Sequence, residues 1–181
     1  MSCKFPKVLN TKIMSISRWL EVIEREVQFQ SDAAVETYYA IAQPDDVAAI
    51  AVTPERRILL VRQYRPAIQR FSLELPAGTV EENEDPADTM VRELLEETGY
   101  RTKSIVEIGR AATSAGRIDN VTHSFFIETG ERVADFVEEP GVTVSSASAS
   151  DLRELILSGE FAEQTHIGVV ALAICRGLIE L

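Results

Sequence analysis

Between residues 78 and 100 the chain reads GTVEENEDPADTMVRELLEETGY, and the carboxylates of Glu84, Asp88, Glu93, Glu96 and Glu97 crowd this stretch beside a single arginine, Arg92. Hard oxygen ligands at this density suit the binding of a divalent cation such as Mg²⁺, which takes one or two carboxylates and completes its shell with water and substrate phosphate oxygens. A solvated acidic face is the plain alternative, since Glu is a good helix former. Local energetics weigh against it. Like charges at i,i+4 cost a few tenths of a kcal/mol, and acids in a last turn oppose the helix dipole by about 0.3–1 kcal/mol each.

The segment that must present these acids is itself legible. Asp85 is a good N-cap, Pro86 suits the first helical position, and Gly99 suits a left-handed stop, so a helix is predicted over residues 86–98. At about 100° per residue, Ala87, Met90, Val91, Leu94, Leu95 and Thr98 form one apolar stripe facing a core. The acids take the other side. Glu93 and Glu97 stack four apart, with Glu96 one step round and Arg92 at i,i+4 from it.

Gly78, five residues, Glu84, seven residues, then Arg92-Glu93-Leu94-x-Glu96-Glu97-x-Gly99 resembles the signature box of the Nudix hydrolases. Tyr100 stands where that family usually carries an aliphatic residue. VRQYRPA at residues 61–67 and ELPAG at 74–78 extend the resemblance to the branch that cleaves ADP-ribose and nucleoside diphosphate sugars. The resemblance implies an α+β fold, an α/β/α sandwich with a mixed sheet between helices. It also implies an N-terminal β extension, residues 1–45, of the kind this branch exchanges across a homodimer, before a catalytic domain over residues 46–181.

Composition sets outer limits. A chain of 181 residues that is 45% hydrophobic can build one core with a small extension. Its formal net charge of −11, with no cluster of Lys and Arg, argues against nucleic acid as a partner. The longest uncharged apolar stretch, residues 167–175, is too short to span a bilayer, and the N-terminus lacks the apolar region of a signal peptide, so a soluble, cytoplasmic protein without a membrane partner is expected. Two cysteines, Cys3 and Cys175, form neither a disulfide framework nor a metal motif, and Cys175 reads as a core residue.

Strands are predicted at residues 23–29, 37–42, 46–52, 57–64, 71–75, 104–112, 121–128 and 142–147. Residues 58–61 are apolar on both faces and mark a central strand. A polar turn holding Gly116, Asp119 and Asn120 joins two of the later strands. Helices are predicted at residues 151–157, stopped by Gly159, and at about 165–179, apolar on most sides.

On the family pattern, the Ala77 carbonyl and the Glu93 and Glu97 carboxylates would bind one or more Mg²⁺ (or Mn²⁺) ions, with Glu96 a further or water-mediated ligand. The ions would neutralise the diphosphate and position water for in-line attack. Arg92 is assigned to orienting Glu96 or another acid, and Glu84 either to an outer metal position or to the helix dipole. The general base of this branch is commonly a glutamate on a loop after the box, here Glu138 or Glu139 in EEPG. Arg62, Arg65 and Arg70 precede the box and offer cations to a pyrophosphate; Arg65, Glu74 and Gly78 match substrate-lining positions, and Trp19, with Tyr38 or Tyr39, offers a stacking surface to a nucleobase. His123 and His166 read as structural or surface residues.

ADP-ribose pyrophosphatases carry a proline sixteen residues beyond the last box glycine; here that position is Ala115, and the acid often found downstream is Asn120. GDP-mannose or another nucleoside diphosphate sugar therefore stands beside ADP-ribose as expected substrate. Nucleoside triphosphates or dinucleoside polyphosphates form a second class, and a non-catalytic nucleotide-sugar-binding module a third.

Overall fold

A computed structural model describes residues 5–181, so Cys3 lies outside the described residues. The chain forms two units: residues up to Pro44 with Ala112–Val121, and Asp45–Ala111 with Thr122–Leu181. The first holds β1 (Lys7–Ser17), β2 (Leu20–Gln28), β3 (Glu36–Ala42) and β9 (Ile118–Asp119), side by side in that order. β1 to β3 are antiparallel neighbours, and β9 runs parallel to β3 with Ile41 opposite Ile118. Arg25 on β2 reaches Asp119 on β9 at 2.7 Å.

The second unit carries β4 (Asp46–Val52), β5 (Ile58–Arg65), β6 (Arg70–Glu74), β7 (Ala77–Thr79), α1 (Pro86–Thr98), β8 (Tyr100–Ala112), β10 (Val121–Arg132), β11 (Val142–Ala147), α2 (Ala149–Ser158) and α3 (Gln164–Cys175). Its sheet runs β11-β5-β4-β10-β8, with β6 beside β5 and β7 beside β4. β4 and β10 are parallel, while β4–β5, β5–β11, β5–β6 and β4–β7 are antiparallel. The sheet is mixed, as expected.

Alternation along β4 divides the core. Ala48, Ile50 and Val52 face a cluster completed by Leu60, Leu152 of α2 and Val169, Val170 and Ala173 of α3. Val47, Ala49 and Ala51 face the other way, onto Leu59, Phe125, Ile127 and Met90 and Leu94 of α1. Helices thus cover both faces of one sheet, and residues 58–61 are buried throughout.

Near the site the sheet splits. β4 and β5 pair at Val52 and Ile58; towards their other ends β4 takes β7 as neighbour and β5 takes β6. The link Leu75–Pro76 crosses between them, with Ala49 N–H donating to the Pro76 carbonyl at 3.0 Å.

Local signals act as predicted. Asp85 accepts from Ala87 N–H, Pro86 opens α1, and Gly99 ends it at φ 74°. Ser148 and Asp151 form a capping box on α2, and Gly159 stops it at φ 78°. Five expectations change. The buried stripe of α1 is narrower: Thr89, Met90, Leu94 and Thr98 are buried, whereas Val91 and Leu95 are exposed. Cys175 is exposed at the end of α3, which stops short of residue 179 because Gly177 turns left-handed at φ 68°. β9 occupies part of the expected polar turn. β1 was not foreseen, because nearly all its residues are exposed and no buried face marks its sequence.

The C-terminus of α1 has no basic residue in its last turn, and a distant one compensates. Arg132 Nε donates to the Thr98 carbonyl at 3.0 Å, and its guanidinium lies 5.1 Å from the Phe136 ring centroid. Val133 N–H donates to the Gly99 carbonyl at 2.9 Å. A Cβ on Gly99 would stand 2.4 Å from the Phe136 ring. Gly99→Ala therefore combines left-handed strain with a clash, and it should destabilise the fold by about 2 kcal/mol or more, read as a fall in denaturation midpoint at unchanged m-value.

Candidate active site

The last two turns of α1 lie against β7, and contacts between them fix two carboxylates. Glu97 accepts a hydrogen bond from Ala77 N–H at 3.0 Å. Glu93 lies over Gly78, where an added Cβ would come 2.1 Å from its carboxyl carbon, so no side chain fits at 78 unless Glu93 moves. A residue larger than glycine at 78 would thus displace the Glu93 carboxyl from its present place.

Arg92 is bonded to three acids. Its Nε and Nη2 donate to the two oxygens of Glu84 at 3.0 and 2.9 Å, and its Nη1 donates to Glu93 at 2.8 Å and Glu96 at 3.2 Å. Hydrogen bonds from Arg92 hold the Glu84 carboxyl down at about 2. Glu93 moves the other way, because burial outweighs the help from Arg92. Glu97 is pushed up to about 8 by burial, with repulsion from Glu93 adding to the shift and the Ala77 hydrogen bond opposing it.

A hard divalent cation fits this donor set. Two half-buried carboxyl groups are held beside one backbone strand, and burial raises both even though Arg92 bonds Glu93, so a further positive charge would favour their ionised forms. Among the described residues no three His, Cys, Asp or Glu side chains are grouped so as to hold a metal ion by themselves, so a cation here would draw its remaining ligands from water, backbone and substrate. Glu93 and Glu97, with the Ala77 carbonyl and the more exposed Glu96, are the residues that would hold it.

Beside Glu97 stands a second charged group. Glu74 is 2% exposed and faces Arg65, whose Nε donates to Oε1 at 2.9 Å and whose Nη2 donates to Oε2. Burial pushes the Glu74 carboxyl up, but the Arg65 guanidinium prevails and holds it below the ordinary range. One edge of the Arg65 fork is thus committed to Glu74, and its side chain remains 44% exposed. Arg62, three positions earlier on β5 and so on its opposite face, stacks instead on Phe71 at 3.9 Å from the ring centroid. Arg70 opens β6 and is exposed.

The two loop acids differ. Glu138 is half-buried and lies 3.6 Å from Arg132, while Glu139 is exposed and its carbonyl accepts from Val142 N–H at 3.0 Å. Trp19 belongs to the first unit, where it is 47% exposed with Arg18 stacked 4.4 Å from its ring centroid. Tyr38, in the same unit, packs edge-on against Phe29 and donates to Glu36. His123 is buried with Glu107 3.3 Å from Nδ1 and Asp45 3.4 Å from Nε2, a structural position.

Two contacts near the site escaped sequence reasoning. His166 is buried, and its Nδ1 accepts from Leu75 N–H at 3.0 Å across 91 positions of chain. Nothing in local spacing signals that bond. Arg132 is similar: the uncompensated end of α1 asks for a cation, but only the fold says which one.

A model of the NUDIX domain matches residues 42–162. The chain is 37% identical over 123 residues to an ADP-ribose pyrophosphatase of Bacillus subtilis (strain 168), covering 66% of each protein. It is 31% identical over 167 residues to a CMP-5'-(N-acetyl-N-hydroxy-3-aminopropyl)phosphonate hydrolase of Streptomyces rubellomurinus (strain ATCC 31215), covering 88% of this chain and 78% of that protein. A crystal structure of an ADP compounds hydrolase superposes with a TM-score of 0.79 at 17% identity, over 99% of this chain and 100% of that one, a likeness of fold. With the domain model spanning more than half of its length, the chain belongs to the Nudix hydrolase family.

Proposed function

We propose that this chain hydrolyses the pyrophosphate bond of ADP-ribose or another nucleoside diphosphate sugar in a Mg²⁺-dependent reaction, releasing a nucleoside monophosphate and a sugar phosphate. The observation that carries this reading is the pair of carboxyl groups, Glu93 and Glu97, fixed on Gly78 and Ala77 with the Glu74-anchored guanidinium of Arg65 nearby. Its relatives include an ADP-ribose pyrophosphatase, which favours a diphosphate over a triphosphate.

When bound, the cation supplies Lewis-acid charge to the diphosphate oxygens and to the attacking water. The chain's residues do the positioning. Glu74 holds Arg65 by one edge, leaving the opposite edge of the fork for a phosphate oxygen. Arg92 keeps Glu84, Glu93 and Glu96 in register without spending its charge on substrate. Glu139, exposed on the loop before β11, is the better placed of the two loop acids to accept a proton from water, since Glu138 is engaged with Arg132. The reading extends to a homodimer formed through the first unit, whose β1 is exposed along nearly its whole length. No helix among the described residues is long and apolar enough to cross a membrane.

Phosphate release through a coupled phosphatase, from ADP-ribose, GDP-mannose, ADP-glucose, UDP-glucose and nucleoside triphosphates, tests the proposal. Turnover of a diphosphate sugar with Mg²⁺ and none with EDTA is expected. Silence across the diphosphates, or pyrophosphate release from triphosphates, would overturn it. Glu97→Gln keeps an acceptor for Ala77 N–H but loses the charge, and it should cut kcat by about 10²-fold or more, the effect of several kcal/mol of charge stabilisation, with circular dichroism unchanged.

The raised Glu97 and Glu93 carboxyls also predict a stability profile. Between its ordinary value and about 8, the folded chain keeps a proton on Glu97 that the unfolded chain has released, so rising pH destabilises the metal-free fold across that window. The Tm in EDTA should fall from pH 5 to 8, and Glu97→Gln should flatten the slope.

A further inference from the structure

The two sides of the site are joined by the three residues Leu75, Pro76 and Ala77, and their backbone donors can be accounted for one by one. β6 ends at Glu74, paired with Val61, and β7 begins at Ala77, paired with Ala48. Leu75 is wholly buried between these ladders, and its N–H goes to His166 Nδ1 at 3.0 Å. Pro76 has no N–H to place. Ala77 N–H goes to Glu97 at 3.0 Å. The crossing link is therefore fastened by two side-chain acceptors, one from α3 and one from α1, and these helices pack against opposite faces of the sheet.

His166 is itself firmly placed. Its own N–H donates to the N-cap carboxylate of Glu163 at 2.7 Å, and its neighbours Val169, Val170 and Ala173 are buried in the core. An imidazole that accepts at Nδ1 must carry its proton on Nε2. Burial agrees, pushing the ring towards its neutral form, as does the positive end of the α3 dipole in whose first turn it lies.

We propose that His166 is a positioning residue for the hydrolytic site: through the Leu75 amide it sets the link that places Glu74 under Arg65 on one side and Ala77 against Glu97 on the other. It touches no reacting atom, and its role rests on the function proposed above. Without this acceptor the Leu75 donor is buried and unpaired, and the link must shift to find another. A shift there moves both charged groups of the site together.

Three substitutions separate this role from simple packing. In His166→Asn the amide oxygen stands where Nδ1 stood; in His166→Gln it is carried one bond too far; in His166→Leu the volume stays and the acceptor goes. With the diphosphate sugar that the wild type turns over, the Leu and Gln variants should lose about 10²-fold in kcat, as small misplacements of catalytic groups do, with little change in KM. The Asn variant should recover most of that loss. Equal impairment of Asn and Leu, or full activity of Leu, would overturn the proposal.

Nitrogen NMR of the wild-type imidazole is a second test, independent of turnover and of how the variants fold. A protonated Nε2 and a bare Nδ1, with slow exchange of the Leu75 amide, are expected; a proton on Nδ1 would refute the geometry. If the wild type cleaves none of the diphosphates, the functional reading has failed, and the NMR result still decides whether His166 holds the link.

Discussion

The hydrogen bond from Ala77 N–H to Glu97 joins α1 to the sheet at the point where the sheet divides. Both partners need it. The helix brings carboxyl groups that repel one another, and β7 is a three-residue strand with little ladder of its own. One bond cannot fix a helix, so steric fit does the rest: Gly78 leaves room for Glu93, and Met90 and Leu94 bury their side chains against β4 and β5. Residue choice at 77, 78, 93 and 97 is thus a single decision.

Charge is concentrated here against its own repulsion, and the chain limits the cost by pairing. Arg92 gathers Glu84, Glu93 and Glu96, Arg65 neutralises the buried Glu74, and Arg132 supplies the cation that the last turn of α1 lacks. Glu97 takes a backbone donor, Ala77 N–H, and burial pushes its carboxyl up to about 8. The arrangement leaves a deficit of positive charge at one place, next to a guanidinium with donors to spare.

Much of this was legible because it is local. The limits of α1 followed from Asp85, Pro86 and Gly99, and the pairing of Arg92 with Glu96 followed from helical spacing. Strands buried on both faces, such as β4 and β5, announced themselves by composition. What escaped depends on partners far apart in the chain. His166 meets Leu75, Arg132 meets Thr98, and Arg65 is turned onto Glu74 instead of standing free, all by contacts that no periodicity encodes. β1 escaped for a different reason: its ladder with β2 uses backbone groups, and with both faces exposed its side chains carry no pattern.

The first unit takes Ala112–Val121 from the middle of the chain, and this has a bearing on inheritance. Ile118 pairs beside Ile41, and Asp119 holds Arg25, so residues before Pro44 are not a self-contained cassette. The backbone passes between the units after Pro44, after Ala111 and again after Val121. A gene fusion or exon exchange cut at the first of these crossings would separate β3 from β9. The two units are therefore expected to have been transmitted as one piece, with substitutions on β2 and β3 answered by substitutions seventy or more positions downstream.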